Sequence, residues 1–166
     1  MSEHRIIPTA ERYVEGFHRA VDVVARERAY LALIEAPPLE NSRAFVEGML
    51  AGAGVQMLVV DAEDTVVGFC DVVRDTRAGF THRGTLGMGL LPHARGRGLG
   101  KRLMAETIAA ARAAGIERIE LEVFASNVRA RALYDSLGFV TEGLKRRSRK
   151  LDGVYDDDIF MALVFE

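Results

Sequence analysis

The sequence predicts an α/β fold of the α+β kind, with a mixed, largely antiparallel sheet of about seven strands flanked by four helices. Two observations carry this. Read from hydrophobic periodicity, the elements run strand, two helices, three strands, helix, strand, helix, two strands, without the single alternation of a doubly wound parallel fold. The 166 residues contain no repeat, low-complexity tract or linker, which suits one domain, 1–166, with a sizeable core.

Arg5-Ile6-Ile7-Pro8 reads as a short first strand. Thr9 can cap a helix from about residue 10 into the high twenties, with Phe17, Val21, Val24 and Ala25 on one face. Pro37-Pro38 breaks the chain. Ser42 then starts a second helix with Phe45, Val46, Met49 and Leu50 inward, and Gly52 and Gly54 stop it. Met57-Leu58-Val59-Val60 and the run 66–73 are two strands joined by a turn of hairpin length, and a polar loop, 75–82, leads to a third strand over 84–91. The next helix, 98–115, carries Leu99, Leu103, Ala110 and Ala114 on one stripe, with Met104, Ile108 and Ala111 beside it, and Gly115 ends it. Arg118-Ile119-Glu120-Leu121-Glu122-Val123 alternates strictly, as a half-buried strand does. Ser126 or Asn127 caps a short helix turning Ala130, Leu133, Tyr134 and Leu137 inward. Gly138-Phe139 begins a strand, and Leu151-Asp152-Gly153 turns into the last, about 157–165.

A net charge of -2 gives no general pull toward nucleic acid or anionic lipid. The single cysteine, Cys70, sits in an apolar run, reads as buried structure, and excludes an internal disulfide framework or a cysteine zinc cluster. No apolar run approaches the ~20 residues that span a bilayer. Met1-Ser2-Glu3-His4-Arg5 leads into no signal-peptide core, so a cytoplasmic protein without membrane contact is expected.

Arg95-Gly96-Arg97-Gly98-Leu99-Gly100-Lys101 lies between the third long strand and the long helix. Glycines there let the backbone turn tightly so that successive N–H groups converge, and the helix adds its own unpaired N–H groups and the positive end of its dipole. Such a turn binds phosphate, most naturally the pyrophosphate of a nucleotide-like ligand. A nucleotide-triphosphate loop would need glycine where Arg95 stands and a hydroxyl where Arg102 stands. A dinucleotide fingerprint starting at Gly96 would need glycine at Lys101. The form that fits is Arg-x-x-Gly-x-Gly over 95–100, with Pro92 closing the strand before it.

That motif, following Gly87-Met88-Gly89-Leu90-Leu91-Pro92, resembles the pyrophosphate signature of the GNAT acyltransferase superfamily. A second stretch, Asn127-x-x-Ala130-x-x-Leu133-Tyr134-x-x-x-Gly138-Phe139, resembles that family's late helix, and the order of elements matches its fold over nearly the whole chain. The resemblance implies acetyl-CoA as co-substrate, no metal, and direct transfer to a primary amine through a ternary complex. It places the pyrophosphate on Arg95, Gly96, Arg97, Gly98, Leu99, Gly100 and Lys101, and the pantetheine beside Met88, Gly89, Leu90 and Asn127. It makes the Met88 backbone N–H the oxyanion donor and Tyr134 the general acid, a phenol of pKa ~10 serving a thiolate whose acid lies near 8.5. On spacing alone Tyr134 reads as a core tyrosine beside Leu133 and Leu137, Asn127 as a helix cap, and the Met88 N–H as an ordinary strand-ladder donor.

The base is left open. Where some family members carry a glutamate early in the central strand, this chain has Gly84 and Thr85. Glu120 or Glu122 could reach a cleft from the polar face of their strand; Glu27, Glu35, His82 and a water relay are further candidates. Looser patterns, Arg28-Ala29-Tyr30-Leu31 with Pro37-Pro38 and Asp152-Gly153-Val154-Tyr155-Asp156-Asp157 with Met161-Ala162, resemble a bacterial branch that acetylates free amino acids or similar small amines. Acetylation of a protein N-terminus or lysine, and a CoA-binding sensor without turnover, stand as alternatives, and a homodimer is left open. The basic run 145–150 is flanked by Asp152 and Asp156-Asp157-Asp158 and has no aromatic stacking platform. It reads as a solvated hairpin or a patch near the coenzyme 3′-phosphate or an anionic substrate, not as a nucleic-acid site.

Overall fold

The computed structural model describes residues 3–166; Met1 and Ser2, part of the N-terminus read above as leaderless, lie outside them. Strand β1 (Arg5–Pro8) leads through a 3₁₀ turn into α1 (Val14–Arg26), and α2 (Leu39–Gly48) runs into a short π turn, Met49–Ala53. Then come β2 (Gly54–Val60), β3 (Val66–Arg74), β4 (Arg83–Leu90), α3 (Leu99–Ala113), β5 (Arg118–Phe124), α4 (Val128–Ser136), β6 (Val140–Leu151) and β7 (Val154–Val164). They form one seven-stranded sheet of order β1-β2-β3-β4-β5-β7-β6, antiparallel at every pairing except β4 with β5. The fold class expected from the order of elements is the one observed.

Alternation along the strands gives the sheet two apolar faces. Leu58, Val60, Val66 and Phe69 meet α1 and α2, where Phe17 packs edge-on against Phe69 at 5.4 Å and stacks on Phe45 at 5.7 Å. Val59, Cys70, Val72, Leu86, Ile119 and Leu121 meet α3 through Leu103, Met104 and Ala111. In α3 the buried stripe is offset from the one expected. Thr107 is fully buried, its hydroxyl satisfied by donating to Leu103 O at 2.8 Å, while Ala114 is exposed.

Two further boundaries differ from expectation. α2 starts directly after Pro38 and not at Ser42; Ser42 lies within the helix, buried, with its Oγ 3.0 Å from His18 Nδ1 on α1. A pairing made across helices outweighed the local capping signal. Leu50 is half exposed and not inward, because the π turn and Gly52 at φ 99° rotate the chain out of helical phase. The last strand starts at Val154, where Asp152 and Gly153, both at positive φ, close the β6–β7 hairpin.

Gly54 starts β2 against the carbonyl of Val72, and a Cβ there would stand 2.0 Å from that oxygen. Gly54→Ala is therefore expected to destabilise the fold by about 3 kcal/mol, the upper end of ordinary overpacking costs. Urea unfolding of the variant checks this; a midpoint equal to that of the parent protein would show that β2 shifts freely.

Candidate active site

β4 and β5 pair over only three residues, Arg83 with Arg118, Gly84 with Ile119 and Thr85 with Glu120. Beyond Thr85 they part, while β4 stays paired with β3 through Leu90 and β5 with β7 through Phe124. Arg83 O accepts from Asp75 N–H and Leu91 N–H donates to Val67 O, so the odd residues of β4 address β3. By alternation Met88 and Leu90 turn their N–H and C=O groups into the gap. Here lies a cavity of about 500 Å³, lined by Met88, Gly89 and Leu90 on one wall, Glu122 and Val123 on the other, and Asn127, Leu133 and Tyr134 across the top.

At the mouth of the gap the 95–101 turn leads into α3. Gly96 and Gly98 both have φ 75°, a conformation costly to any residue with a Cβ, and Gly98 is the N-cap of α3. None of the N–H groups from 96 to 101 donates to a backbone carbonyl among the described residues. Gly96, Gly98, Gly100 and Lys101 all line the cavity. Six successive donors at the positive end of a helix dipole form a concave anion cradle. Gly100 faces inward as well: a Cβ there would touch Leu133, Leu90 and Met88 at 3.5–3.7 Å, filling the space between β4 and α4.

Arg95, assigned by resemblance to the pyrophosphate, spends its guanidinium within the protein. Its Nε donates to Leu90 O at 3.0 Å, its two terminal nitrogens hold Glu27 Oε2 and Oε1 at 2.9 and 2.7 Å, and it lies over the Tyr30 ring. Arg97 is exposed beside the turn and does not line the cavity. Arg95 and Lys101 do line it, and so does Arg129, in the first turn of α4, whose Nη2 would stand 3.5 Å from a Cβ on Gly96. Sequence reading missed it; the available signal was its place two residues after the Asn127 cap, on a helix that the second motif puts beside the first.

Asn127 caps α4, its Oδ1 accepting from Ala130 N–H at 3.2 Å, and also lines the cavity. Tyr134 is buried against Phe139 and lines the cavity; burial, and secondarily Cys70 in the same core cluster, raise its hydroxyl above the usual tyrosine range and keep it protonated. The acidic candidates are brought near the gap but not left free. Both Glu27 oxygens are taken by Arg95, Glu120 Oε1 lies 2.8 Å from Arg118 and 3.5 Å from Arg83, and Glu122 Oε1 lies 2.7 Å from Lys145. Glu35 is exposed, 3.5 Å from Arg26, and His82 is exposed on the β3–β4 loop.

Arg28 Nη2 reaches Asp152 Oδ1 at 2.9 Å, and Arg149 Nη1 donates to Arg28 O at 3.3 Å. The segment after α1 is thereby strapped to the β6–β7 turn, joining two stretches that the sequence showed far apart.

A mixed sheet parted between its central strands, with an anion cradle at the parting, suits an extended ligand that carries phosphate. Residues 23–139 match the family described as Acetyltransferase (GNAT) family, and the chain belongs to that family. The L-amino acid N-acetyltransferase AaaT of Escherichia coli (strain K12) is 28% identical over 128 residues, covering 76% of this chain and 79% of that one. Two shorter likenesses are a mycothiol acetyltransferase of Beutenbergia cavernae, 48% identical over 52 residues, and the [Ribosomal protein bS18]-alanine N-acetyltransferase of Salmonella typhimurium, 39% over 72. They take in 31% and 43% of this chain, which spans 18% of the former's length and 49% of the latter's. Among solved structures, a GNAT-family acetyltransferase from Streptococcus pneumoniae superimposes with a TM-score of 0.91 at 24% identity, over 98% of this chain and all of that one. The yncA protein from Salmonella typhimurium, described with its cofactor acetyl-CoA, gives 0.91 at 19% identity over 99% and 95%. These structural likenesses concern the fold.

Gly98→Asp would set a carboxylate and a strained residue in the cradle while leaving the core untouched. Acetyl-CoA affinity is expected to fall roughly tenfold or more, as when a charge-assisted contact is replaced by repulsion. Calorimetry on the folded variant checks this, and unchanged affinity would move the anion site elsewhere.

Proposed function

We propose that this chain moves the acetyl group of acetyl-CoA to the primary amine of a small molecule, an amino acid or amino-acid-like compound, by direct attack in a ternary complex. The parting of β4 from β5 carries this reading, because it exposes backbone donors beside a cradle for a pyrophosphate. The cavity fits the coenzyme: a run of unpaired N–H groups at one end and a slot walled by Met88, Gly89 and Leu90 suit a diphosphate followed by an extended amide chain. Lys101 and Arg129 add positive charge at the cradle, and Arg95 acts by fixing the turn to α1 and β4.

In this reading the Met88 N–H, pointing into the gap, donates to the thioester oxygen as negative charge develops there; one such donor is typically worth ~10²–10³ in rate. Tyr134 supplies the proton for the departing sulfur. The burial that raises its hydroxyl also raises a thiol in the same surroundings, as it does for Cys70, so donor and acceptor stay matched. Cys70 itself faces α3, fully buried with its thiol pushed well above the ordinary range, which suits structure and not an acyl-enzyme.

The Arg28–Asp152 pair ties the segment that carries Tyr30, a residue of the cavity wall, to the β6–β7 turn. AaaT, similar over three quarters of this chain, is named for amino-acid acetylation. The test is a panel of free amino acids, other small amines and N-terminal peptides with acetyl-CoA, read as thiol release. Turnover with amino acids or their analogues is expected. Turnover with peptides alone would replace this acceptor class, and binding without turnover on any amine would make the chain a CoA-binding module.

Tyr134→Phe keeps the ring against Phe139, so folding and acetyl-CoA affinity should barely move. The chemical step should slow by roughly 10²–10⁴, the usual range for a lost general acid. Single-turnover kinetics with the best acceptor on the panel checks this; a rate near that of the parent protein would return Tyr134 to a packing role.

A further inference from the structure

Asp71, on the strand next to β4, has no ion-pair partner among the described residues. It sits on β3 in register with Gln56 on β2 and Gly87 on β4, pointing to the α1 side of the sheet together with Phe69. Its surroundings are poor in donors. It is buried, and its side-chain partner is the Gln56 amide, Nε2 to Oδ2, at a long 3.5 Å. Gln56 Oε1 and the neighbouring Thr9 Oγ1 are themselves buried without partners among the described residues. A buried carboxylate this thinly satisfied calls for a reason.

Gly87 supplies one. With no side chain there, the Asp71 carboxylate stands directly over the β4 backbone, Oδ1 3.4 Å from where a Cβ would be. The next backbone N–H along β4 is that of Met88, which points into the gap. Gly87 is half-buried and Thr85 exposed on the same face, and across the gap Glu122 on β5 lines the cavity. Asp71 thus stands one strand in from the gap, with only the side-chain-free Gly87 of β4 between its carboxylate and that edge.

We propose that Asp71 is the general base, its carboxylate taking the proton of the acceptor ammonium over Gly87 beside the Met88 N–H; this rests on the acetyl-transfer reading above. One ammonium proton passes to Asp71. The freed nitrogen lone pair forms the N–C bond at the thioester carbon, the C–S bond breaks, and sulfur takes its proton from Tyr134. The second N–H proton restores the tyrosine hydroxyl and Asp71 releases its own to water, so each turnover yields amide, free thiol and one proton.

Titration fits the role. Burial pushes the Asp71 carboxyl up to about 7, and the Gln56 amide pulls it partly back. A base is most effective with its pKa near the working pH. Among the described residues, the elements flanking Asp71 bring no charge against it, and Glu120 and Glu122 across the gap are held by Arg118 and Lys145. β2 presents Gln56, β4 presents Gly87, and the Met49–Ala53 turn holds only apolar residues and glycine. α1 faces the sheet with Phe17, Ala20, Val21, Val24 and Ala25, its His18 being held by Ser42, and Cys70 beside Asp71 points to the other face.

The sign follows. A carboxyl raised on folding favours the folded state fully below the ordinary carboxylate range, and that contribution is lost as pH rises through about 7. Asp71→Asn removes this loss, so the variant should melt no lower than the parent protein at pH 8. The decisive measurement is kcat/KM against pH for the best amine of the panel. The parent protein should show an acidic limb near 7; Asp71→Asn should lose roughly 10²–10⁴ in rate together with that limb, with acetyl-CoA affinity unchanged. Gln56→Met, which removes the amide donor and keeps the burial, should move the limb to higher pH and so serves even if the asparagine variant fails to fold. An unaltered limb in either variant overturns the assignment. A panel on which no amine is acetylated by the parent protein overturns the acetyl-transfer reading, and the base falls with it.

Discussion

Backbone groups at the edge of a strand must find partners or water, and β4 beyond Thr85 has given up one edge. The strand can do this because its other edge stays paired with β3 as far as Leu90. Of the groups turned into the gap, Leu90 C=O is held by Arg95 Nε, and the rest of that guanidinium grips Glu27 just past the end of α1. One side chain thereby satisfies an orphaned carbonyl, anchors the first helix and fixes the start of the glycine turn. The gap, the cradle and the position of α1 over the sheet are mechanically one unit. Unlike an exposed surface pair, the Arg95–Glu27 pair is three-quarters shielded on both sides, with bidentate geometry.

Features of the site set by local backbone geometry were legible from sequence. Two residues at φ 75° on either side of an arginine, followed at once by a helix, need glycine, and the 95–100 spacing showed it. The Asn127 cap and the apolar face of β5 were likewise local, and both stand as read. Where a distant partner decided the outcome, the reading slipped. Ser42 looked like a cap and is a buried partner of His18; Ala114 continued an apolar stripe on paper while Thr107, able to satisfy itself within its own turn, took the buried place.

The chemistry of the cleft was harder to see for the same reason. Arg95 was legible at the turn whose cavity it lines, but not its pairing with Glu27, 68 residues earlier, which nothing in its neighbourhood names. Asp71 vanished into an apolar strand, since its meaning comes from Gln56 and Gly87 falling beside it on two other strands. Glu120 and Glu122, found by strict alternation, face the expected side and meet arginines and a lysine that alternation says nothing about. Periodicity tells which face a residue takes; it is silent on which charges share that face.

Cys70, set aside as inert packing, gives the molecule a built-in silence. With its only sulfhydryl sealed on β3 against α3, the folded protein contributes no background to colour reagents that report sulfhydryls, and liberated coenzyme can be followed continuously in their presence. The same sealing makes Cys70 a sentinel. Reagent can reach it only when β3 and α3 come apart, so the slow labelling of an idle sample would count the openings of the core itself.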